Sequence, residues 1–78
     1  MKKWQFLKID IDDESKLVIY GMKKRKQLFF VVILKTPDGD IPLSQGDSPR
    51  KALANARASK EVRVNPLLGD LLSLLYAI

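Results

Sequence analysis

Residues 37–56, PDGDIPLSQGDSPRKALANA, constrain the fold more than any other part of the chain. Pro37 and the Asp-Gly pair behind it predict a chain reversal, because proline fixes φ and glycine tolerates the turn. The strand expected next contains Pro42, which cannot donate a ladder hydrogen bond and therefore belongs at a sheet edge or a bulge. Ser48 followed by Pro49 is typical of a capped helix start. We therefore expect a turn, an edge strand and a helix in that order.

Three segments upstream have the composition of strands. Residues 4–11 alternate, which predicts a half-buried strand with Leu7 and Ile9 on one face and Trp4 and Phe6 on the other. The third segment is continuously apolar and rich in β-branched residues, a composition typical of a central strand covered on both faces. The four predicted strands are residues 4–11, 16–20, 28–34 and 40–45.

The C-terminal third predicts two helices with a short strand between them. The helix after Ser48 places Ala52 and Ala56 on one stripe, while residues 61–64 alternate and predict a brief strand. Asn65-Pro66 repeats the helix-start pattern before a leucine-rich segment. The expected fold is a single small α+β domain over residues 1–78, a three- to four-stranded mainly antiparallel sheet packed with two short helices, β-β-β-β-α-(β)-α. Either a helix covers each face of the sheet, or one face is used for dimerisation.

The 78 residues include neither histidine nor cysteine. Their absence excludes the Ser-His-Asp and Cys-His arrangements, imidazole and thiolate metal ligands, and disulfides. Only carboxylates, lysine and tyrosine remain for catalysis. We therefore do not expect an enzyme, a catalytic residue, a metal site or a cofactor.

The formal net charge of +5 favours acidic partners, such as nucleic acid or an acidic protein surface. A domain of this size buries only about 60–65% of the surface of its unfolded chain, so a partner or a second copy would stabilise it. Lys8 and Asp10 interrupt the apolar run that a secretory signal needs, and the last helix is too short to span a bilayer. We expect a cytoplasmic protein without a membrane partner.

Two groups of cations are candidates for nucleic-acid binding. One is a run of four consecutive cations at a predicted hairpin tip, and the other lies at and after the helix start that follows Ser48. Phosphate contacts from such groups add salt-dependent affinity. The alternative interpretation of each group is ordinary solvated charge. The candidate residues are Lys23, Lys24, Arg25, Lys26, Arg50, Lys51 and Arg57.

Acidic residues cluster between the first two predicted strands, at Asp10, Asp12, Asp13 and Glu14. Carboxylate oxygens suit a divalent cation, but the cluster lacks the glycine and the spacing of an EF-hand loop. A polar hairpin turn is the favoured interpretation.

The last helix presents a broad leucine face. Part of such a face stays exposed after packing and is typical of a dimer or partner interface. The candidate partner-binding residues are Leu71, Leu74, Leu75 and Ile78.

The segment at residues 37–56 also resembles the signature segment of HicB-type antitoxins, in which a proline-aspartate turn precedes a strand and a helix. The resemblance rests on Pro37-Asp38, on residues 44–48, and on Ala52 and Asn55-Ala56. It implies a small α+β fold related to a partial ribonuclease H fold, in a protein that masks a small toxic ribonuclease. Arg50 and Lys51 depart from the family pattern, which usually has acidic residues in this first helical turn.

The sequence therefore predicts two possible functions. The first is a small non-enzymatic protein-binding module, of which an antitoxin-type inhibitor that masks its partner is one form. The alternative is a basic nucleic-acid-binding module that uses the cations at residues 23–26 and the helix start at Arg50 and Lys51.

Overall fold

A computed structural model describes residues 2–77, and the α+β prediction is confirmed there. Four strands form one antiparallel sheet in the order β1-β2-β3-β4, and three short helices follow the last strand. Each strand pairs with its neighbour in sequence, so short hairpins connect them all. The elements are β1 Lys2–Asp10, β2 Lys16–Lys24, β3 Gln27–Thr36, β4 Gly39–Gly46, α1 Pro49–Arg57, α2 Lys60–Arg63 and α3 Pro66–Ala77.

The segment that constrains the fold most adopts the expected structure. Gly39 has a φ of 135° in the β3–β4 turn, a conformation that favours glycine. Pro42 lies in the edge strand β4, where the register shifts opposite Val32 and Ile33. The Ser48 side chain accepts a hydrogen bond of 3.1 Å from the Lys51 backbone N–H and caps α1. The turn, the edge strand with its bulge and the capped helix are confirmed.

Strand β1 departs from the predicted alternation because its register shifts between Gln5 and Leu7. Trp4 pairs with Gly21 and Leu7 pairs with Ile19, two positions that point to the same side of β2. The prediction that Trp4 and Phe6 lie opposite Leu7 is therefore wrong. An extra residue in one strand makes every residue beyond it point to the opposite face of the sheet from the one that strict alternation predicts.

The bulge collects aromatic rings on one side of the sheet. The Trp4 ring lies over Gly21, and its centroid is 6.3 Å from that of Phe30 in an edge-to-face arrangement. The Phe6 ring is also edge-to-face with Phe30, at 5.5 Å. Such geometry is favoured by the ring quadrupole. Phe30 therefore anchors both β1 aromatics beside the core.

Helix α1 lies directly on the end of β4. The Ser44 hydroxyl donates a hydrogen bond of 2.6 Å to the Ala52 carbonyl, and the Asn55 side-chain amide donates one of 2.8 Å to the Gln45 carbonyl. Ala52 and Ala56 are fully buried against the sheet. Their small side chains allow the close approach, and the two hydrogen bonds fix the helix on the strand.

Residues 60–63 form helix α2, so the predicted brief strand is wrong. Val62 is buried whereas Val64 is 77% exposed. Two residues two apart share a face in a strand but are about 200° apart around a helix, as observed here. The alternation was too short to separate the two structures.

Helix α3 begins after Asn65, whose side-chain oxygen accepts a hydrogen bond of 3.2 Å from the Leu68 N–H. Leu68 and Leu72 are buried on the inner side of the helix, and the outer side carries Leu67 and Leu74. The predicted helix start at Asn65-Pro66 is confirmed.

All three helices contribute to a core on one face of the sheet, which we call the helix side. Within residues 2–77 the opposite face has no covering layer, and we call it the open face. No described helix lies on the open face, so the alternative in which a helix covers each face of the sheet is wrong, whereas the central position predicted for β3 is confirmed. The sheet residues in the core are Leu17, Ile19, Phe30 and Val32, with Leu7 and Leu34 packed beside them.

Gly46→Ala should destabilise the protein, because a Cβ at this position would lie 2.6 Å from the Ala52 nitrogen and 2.9 Å from the Lys51 carbonyl carbon. Both are backbone atoms, so α1 must move to make room for the methyl group. Urea titration should show that the free energy of unfolding falls by about 1–3 kcal/mol. Gly69→Ala is the control, since its Cβ would meet Val62 Cγ1 at 3.5 Å. Because alanine is the better helix former, Gly69→Ala should raise the free energy of unfolding by up to about 1 kcal/mol. Equal effects of the two changes would contradict the close packing of α1 on β4.

The two sides of α3 should respond differently to truncation. Leu72→Ala removes a fully buried side chain and should lower the free energy of unfolding by about 2–5 kcal/mol. Leu74→Ala removes a side chain that is 65% exposed and should change it by no more than about 0.5 kcal/mol. The measurement is again urea unfolding. A large loss for Leu74→Ala would show that the outer side of α3 is buried.

Candidate functional site

A groove on the helix side, which we call the helix-side groove, runs between β1, α1 and α3. Its volume is about 410 Å³. The groove forms because α1 packs over β3 and β4 while α3 packs on α1, which leaves the β1 side of the sheet only partly covered. Its walls are Phe6, Leu7 and Ile19 from the sheet and Leu53, Leu75 and Tyr76 from the helices.

Arg50 of α1 lines this groove, and Arg57 lies beside it at the Tyr76 ring; we call these two residues the rim arginines. The Arg50 guanidinium is 4.8 Å from the centroid of the Tyr76 ring, and that of Arg57 is 5.4 Å from it. The two residues are seven apart and therefore share one side of the helix. Arg50 lies in the first turn, where the helix dipole disfavours a cation and no acidic residue compensates. The Tyr76 ring holds both cations beside the apolar walls.

Apolar side chains remain accessible around the groove. Phe6 is 50% exposed and Trp4 is 40% exposed, both on the helix side. Neither was among the predicted partner-binding residues, because the β1 bulge was not recognised. The adjacent pair Phe6-Leu7 was the available signal, since two consecutive apolar residues break a strict alternation.

The predicted partner-binding leucines divide between the core, the groove and solvent. Leu71 packs against the core, and Leu75 does so while also lining the helix-side groove. Leu74 is exposed, and Leu67, one heptad earlier on the same side of the helix, was missed. Ile78 lies outside the described residues. The leucine face is therefore shared between internal packing and an accessible outer stripe.

The hairpin between β2 and β3 holds the run of four cations at residues 23–26, which we call the basic hairpin. Arg25 has a φ of 57°, so the chain turns through a left-handed residue at the tip. Lys24, Arg25, Lys26 and Gln27 line an open concavity of about 580 Å³. Lys23 pairs with Leu28, and Lys24 pairs with Gln27. Three cations and an amide thus converge at the end of the sheet.

The predicted cations of α1 do not line the same concavity as the cations of the basic hairpin. Lys51 Nζ forms an ion pair of 3.3 Å with Asp47, four residues earlier. Arg50 and Arg57 are at the Tyr76 ring. The seven predicted cations therefore divide into a hairpin set, a groove-rim pair and one paired lysine.

The acidic cluster forms a turn. Asp12 Oδ1 accepts hydrogen bonds of 2.8 Å from the Glu14 N–H and 2.7 Å from the Ser15 N–H. This arrangement closes the β1–β2 hairpin and uses the carboxylate locally. Within residues 2–77 no three acidic side chains are grouped so as to hold a metal ion.

The described helices are all too short or too polar to cross a membrane. Comparisons with models of protein families, with curated proteins and with solved structures find no match to this chain. The surfaces described above are therefore the basis for inferring function.

Proposed function

We propose that this protein is a small, non-enzymatic module that binds a protein partner in the helix-side groove. One observation carries the proposal: aromatic and aliphatic walls stay accessible beside two arginines. Lys51 and Asp47 form the one ion pair within residues 2–77, so Arg50 and Arg57 have no carboxylate partner there. Arginine and tyrosine are enriched among the residues that dominate binding energy at interfaces.

The charge at the rim indicates the chemistry of the partner. An amphipathic segment with acidic residues would place its apolar side chains against Phe6 and Tyr76. Its carboxylates would lie against Arg50 and Arg57. Each guanidinium can donate two parallel N–H hydrogen bonds to one carboxylate. The accessible leucines of α3, Leu67 among them, would extend the contact beyond the groove. A second copy of this chain is the competing partner.

An antitoxin-type role is a more specific form of this proposal. The segment that resembles HicB-type antitoxins, residues 37–56, contains β4 and most of α1 and therefore includes Arg50 at the groove rim. The resemblance would make the partner a small toxic ribonuclease that this protein masks. We place such a complex in the cytoplasm, where a chain without cysteine has no disulfides to lose.

Nucleic-acid binding by the basic hairpin is the second candidate function. The concavity lined by Lys24, Arg25 and Lys26 supports it, because three cations converge on one accessible site. The α1 start supports it less, since Lys51 is paired and Arg50 is at the Tyr76 ring.

Charge reversal at the groove rim tests the protein-binding proposal. Wild type, Arg50→Glu/Arg57→Glu and the control Lys60→Glu/Arg63→Glu, which changes the net charge equally on α2, are used to capture proteins from nuclease-treated host extract. The captured protein is then purified and titrated with each variant. We expect the rim variant to bind at least about 10-fold more weakly and the control to stay within about 3-fold of wild type.

Two further measurements test the groove wall and the antitoxin-type role separately. Phe6→Ala removes an exposed wall and should also weaken binding without unfolding the protein. For an antitoxin-type role, the purified partner should cleave RNA alone and lose that activity in the complex. Equal binding by both charge variants, capture that depends on nucleic acid, or recovery of only this chain would contradict the proposal.

A further inference from the structure

The open face combines an apolar centre with a basic rim. Its centre follows from strand alternation, since Val18 and Tyr20 on β2 pair with Ile33 and Val31 on β3, and all four point away from the core. Val18 is almost fully buried although no helix covers it. Lys8, Lys16 and Lys35 lie beside Val18 on the same face. Lysine stems can cover apolar surface in this way while their charged ends face water.

The charge of this face is strongly asymmetric. Five lysines and two aspartates occupy its positions in the register. The lysines come from three neighbouring strands, so they surround the apolar centre rather than forming a single cluster. The lysines are Lys3, Lys8, Lys16, Lys24 and Lys35, and the aspartates are Asp10 and Asp40.

Tyr20 is at the centre of this arrangement. Lys3 Nζ lies 4.4 Å from its ring centroid and Lys35 Nζ lies 5.7 Å from it, one from each neighbouring strand. A hydrogen bond with Tyr20, followed by the charges of Tyr20 and Asp40, raises the pKa of Lys35 above its ordinary value. An aromatic ring flanked by cations suits a planar base attached to a phosphate.

A second aromatic residue continues the face toward the basic hairpin. Phe29 is half-buried and pairs with Met22, so it is the diagonal neighbour of Tyr20, at a Cβ separation of about 7–8 Å. Gln27, Phe29 and Gln45 lie at this end of the sheet and border a concavity that continues around the strand ends to Leu28, Gly46 and Asp47. Amide side chains there offer hydrogen bonds to base edges, and Lys24 offers a phosphate contact.

The charge and shape of the open face favour one of its possible binding partners. A second copy would oppose two surfaces that each carry five lysines and two aspartates, which charge repulsion disfavours. The major groove of duplex DNA admits an α-helix or a two-stranded β-ribbon, and this four-stranded face is wider than either. An unpaired strand presents its bases for stacking and its phosphates for the rim, and it matches both features of the face.

We infer that the open face binds single-stranded nucleic acid, with Tyr20 and Phe29 stacking on bases and the lysine rim contacting phosphates. The inference does not depend on the proposed protein partner, because that partner occupies the other side of the sheet. DNA and RNA single strands share this chemistry. The basic hairpin extends the same path and supplies further phosphate contacts.

Fluorescence anisotropy with labelled 12-nucleotide oligothymidine, oligouridine and a mixed-sequence duplex tests this inference at two salt concentrations. Both single strands should bind more tightly than the duplex. Lys3→Ala/Lys8→Ala/Lys35→Ala should reduce the slope of log K against log salt by about 2, at about 0.7 per phosphate on single strands. The matched control Lys2→Ala/Lys60→Ala/Arg63→Ala removes the same charge outside the open face and should leave the slope nearly unchanged.

The aromatic residues need variants that keep the fold. Tyr20→Leu and Phe29→Leu retain apolar volume, and circular dichroism checks that each variant is folded. Each should weaken single-strand binding by about 5- to 100-fold, the range for losing one stacked base, whereas Tyr20→Phe should bind like wild type. The relative affinities of oligothymidine and oligouridine identify which strand is preferred.

Any one of four binding results would overturn the inference, as would one result on self-association. The binding results are the absence of binding at low salt, equal affinity for duplex and single strands, equal salt slopes for the two triple variants, and unchanged affinity in both leucine variants. Self-association that is lost in the open-face triple variant would identify a second copy as the occupant and would also overturn it. The groove-rim variant Arg50→Glu/Arg57→Glu changes residues on the other side of the sheet and tests the protein-binding proposal alone. The two proposals can therefore fail separately.

Discussion

The close approach of α1 to the end of β4 determines the rest of this structure. Gly46 has no side chain where the backbone of Ala52 passes, and the buried faces of Ala52 and Ala56 let the helix lie against the sheet. The Ser44 and Asn55 hydrogen bonds then fix its position. Because α2 and α3 follow directly and pack on α1, every described helix lies on the same side. A larger residue at Gly46 would disturb all of these contacts together.

This one-sided packing gives the protein two unlike surfaces. On the helix side, α1 covers β3 and β4 while α3 packs on α1, and the helix-side groove with its two rim arginines remains beside β1. On the open face, the apolar centre has no layer above it and is surrounded by lysine side chains. A chain of 78 residues can therefore offer an apolar, arginine-rimmed groove on one side and a lysine-rimmed sheet on the other.

The sequence predicted the elements better than the surfaces. Local signals, such as the Ser48-Pro49 helix start and Pro42 in an edge strand, depend on a few neighbouring residues and were confirmed. The facing of Trp4 was predicted wrongly because the bulge that sets it is a property of the pairing with β2. The sequence did not decide whether a helix covers each face of the sheet or one face stays free of helices, since a continuously apolar β3 is compatible with both, and only the path of the chain after β4 decides where the helices lie.

The central claim is that one face of the sheet is covered by helices and the other is accessible. The chain has no cysteine, so single thiols at adjacent positions of β3 can report on the two faces separately. Val32 is fully buried on the helix side, whereas Val31 is half-buried on the open face. The decisive measurement is the rate at which a thiol reagent labels Val31→Cys and Val32→Cys in the native protein. We predict rapid labelling of Val31→Cys and labelling of Val32→Cys only after unfolding. Equal protection of both thiols would contradict the claim.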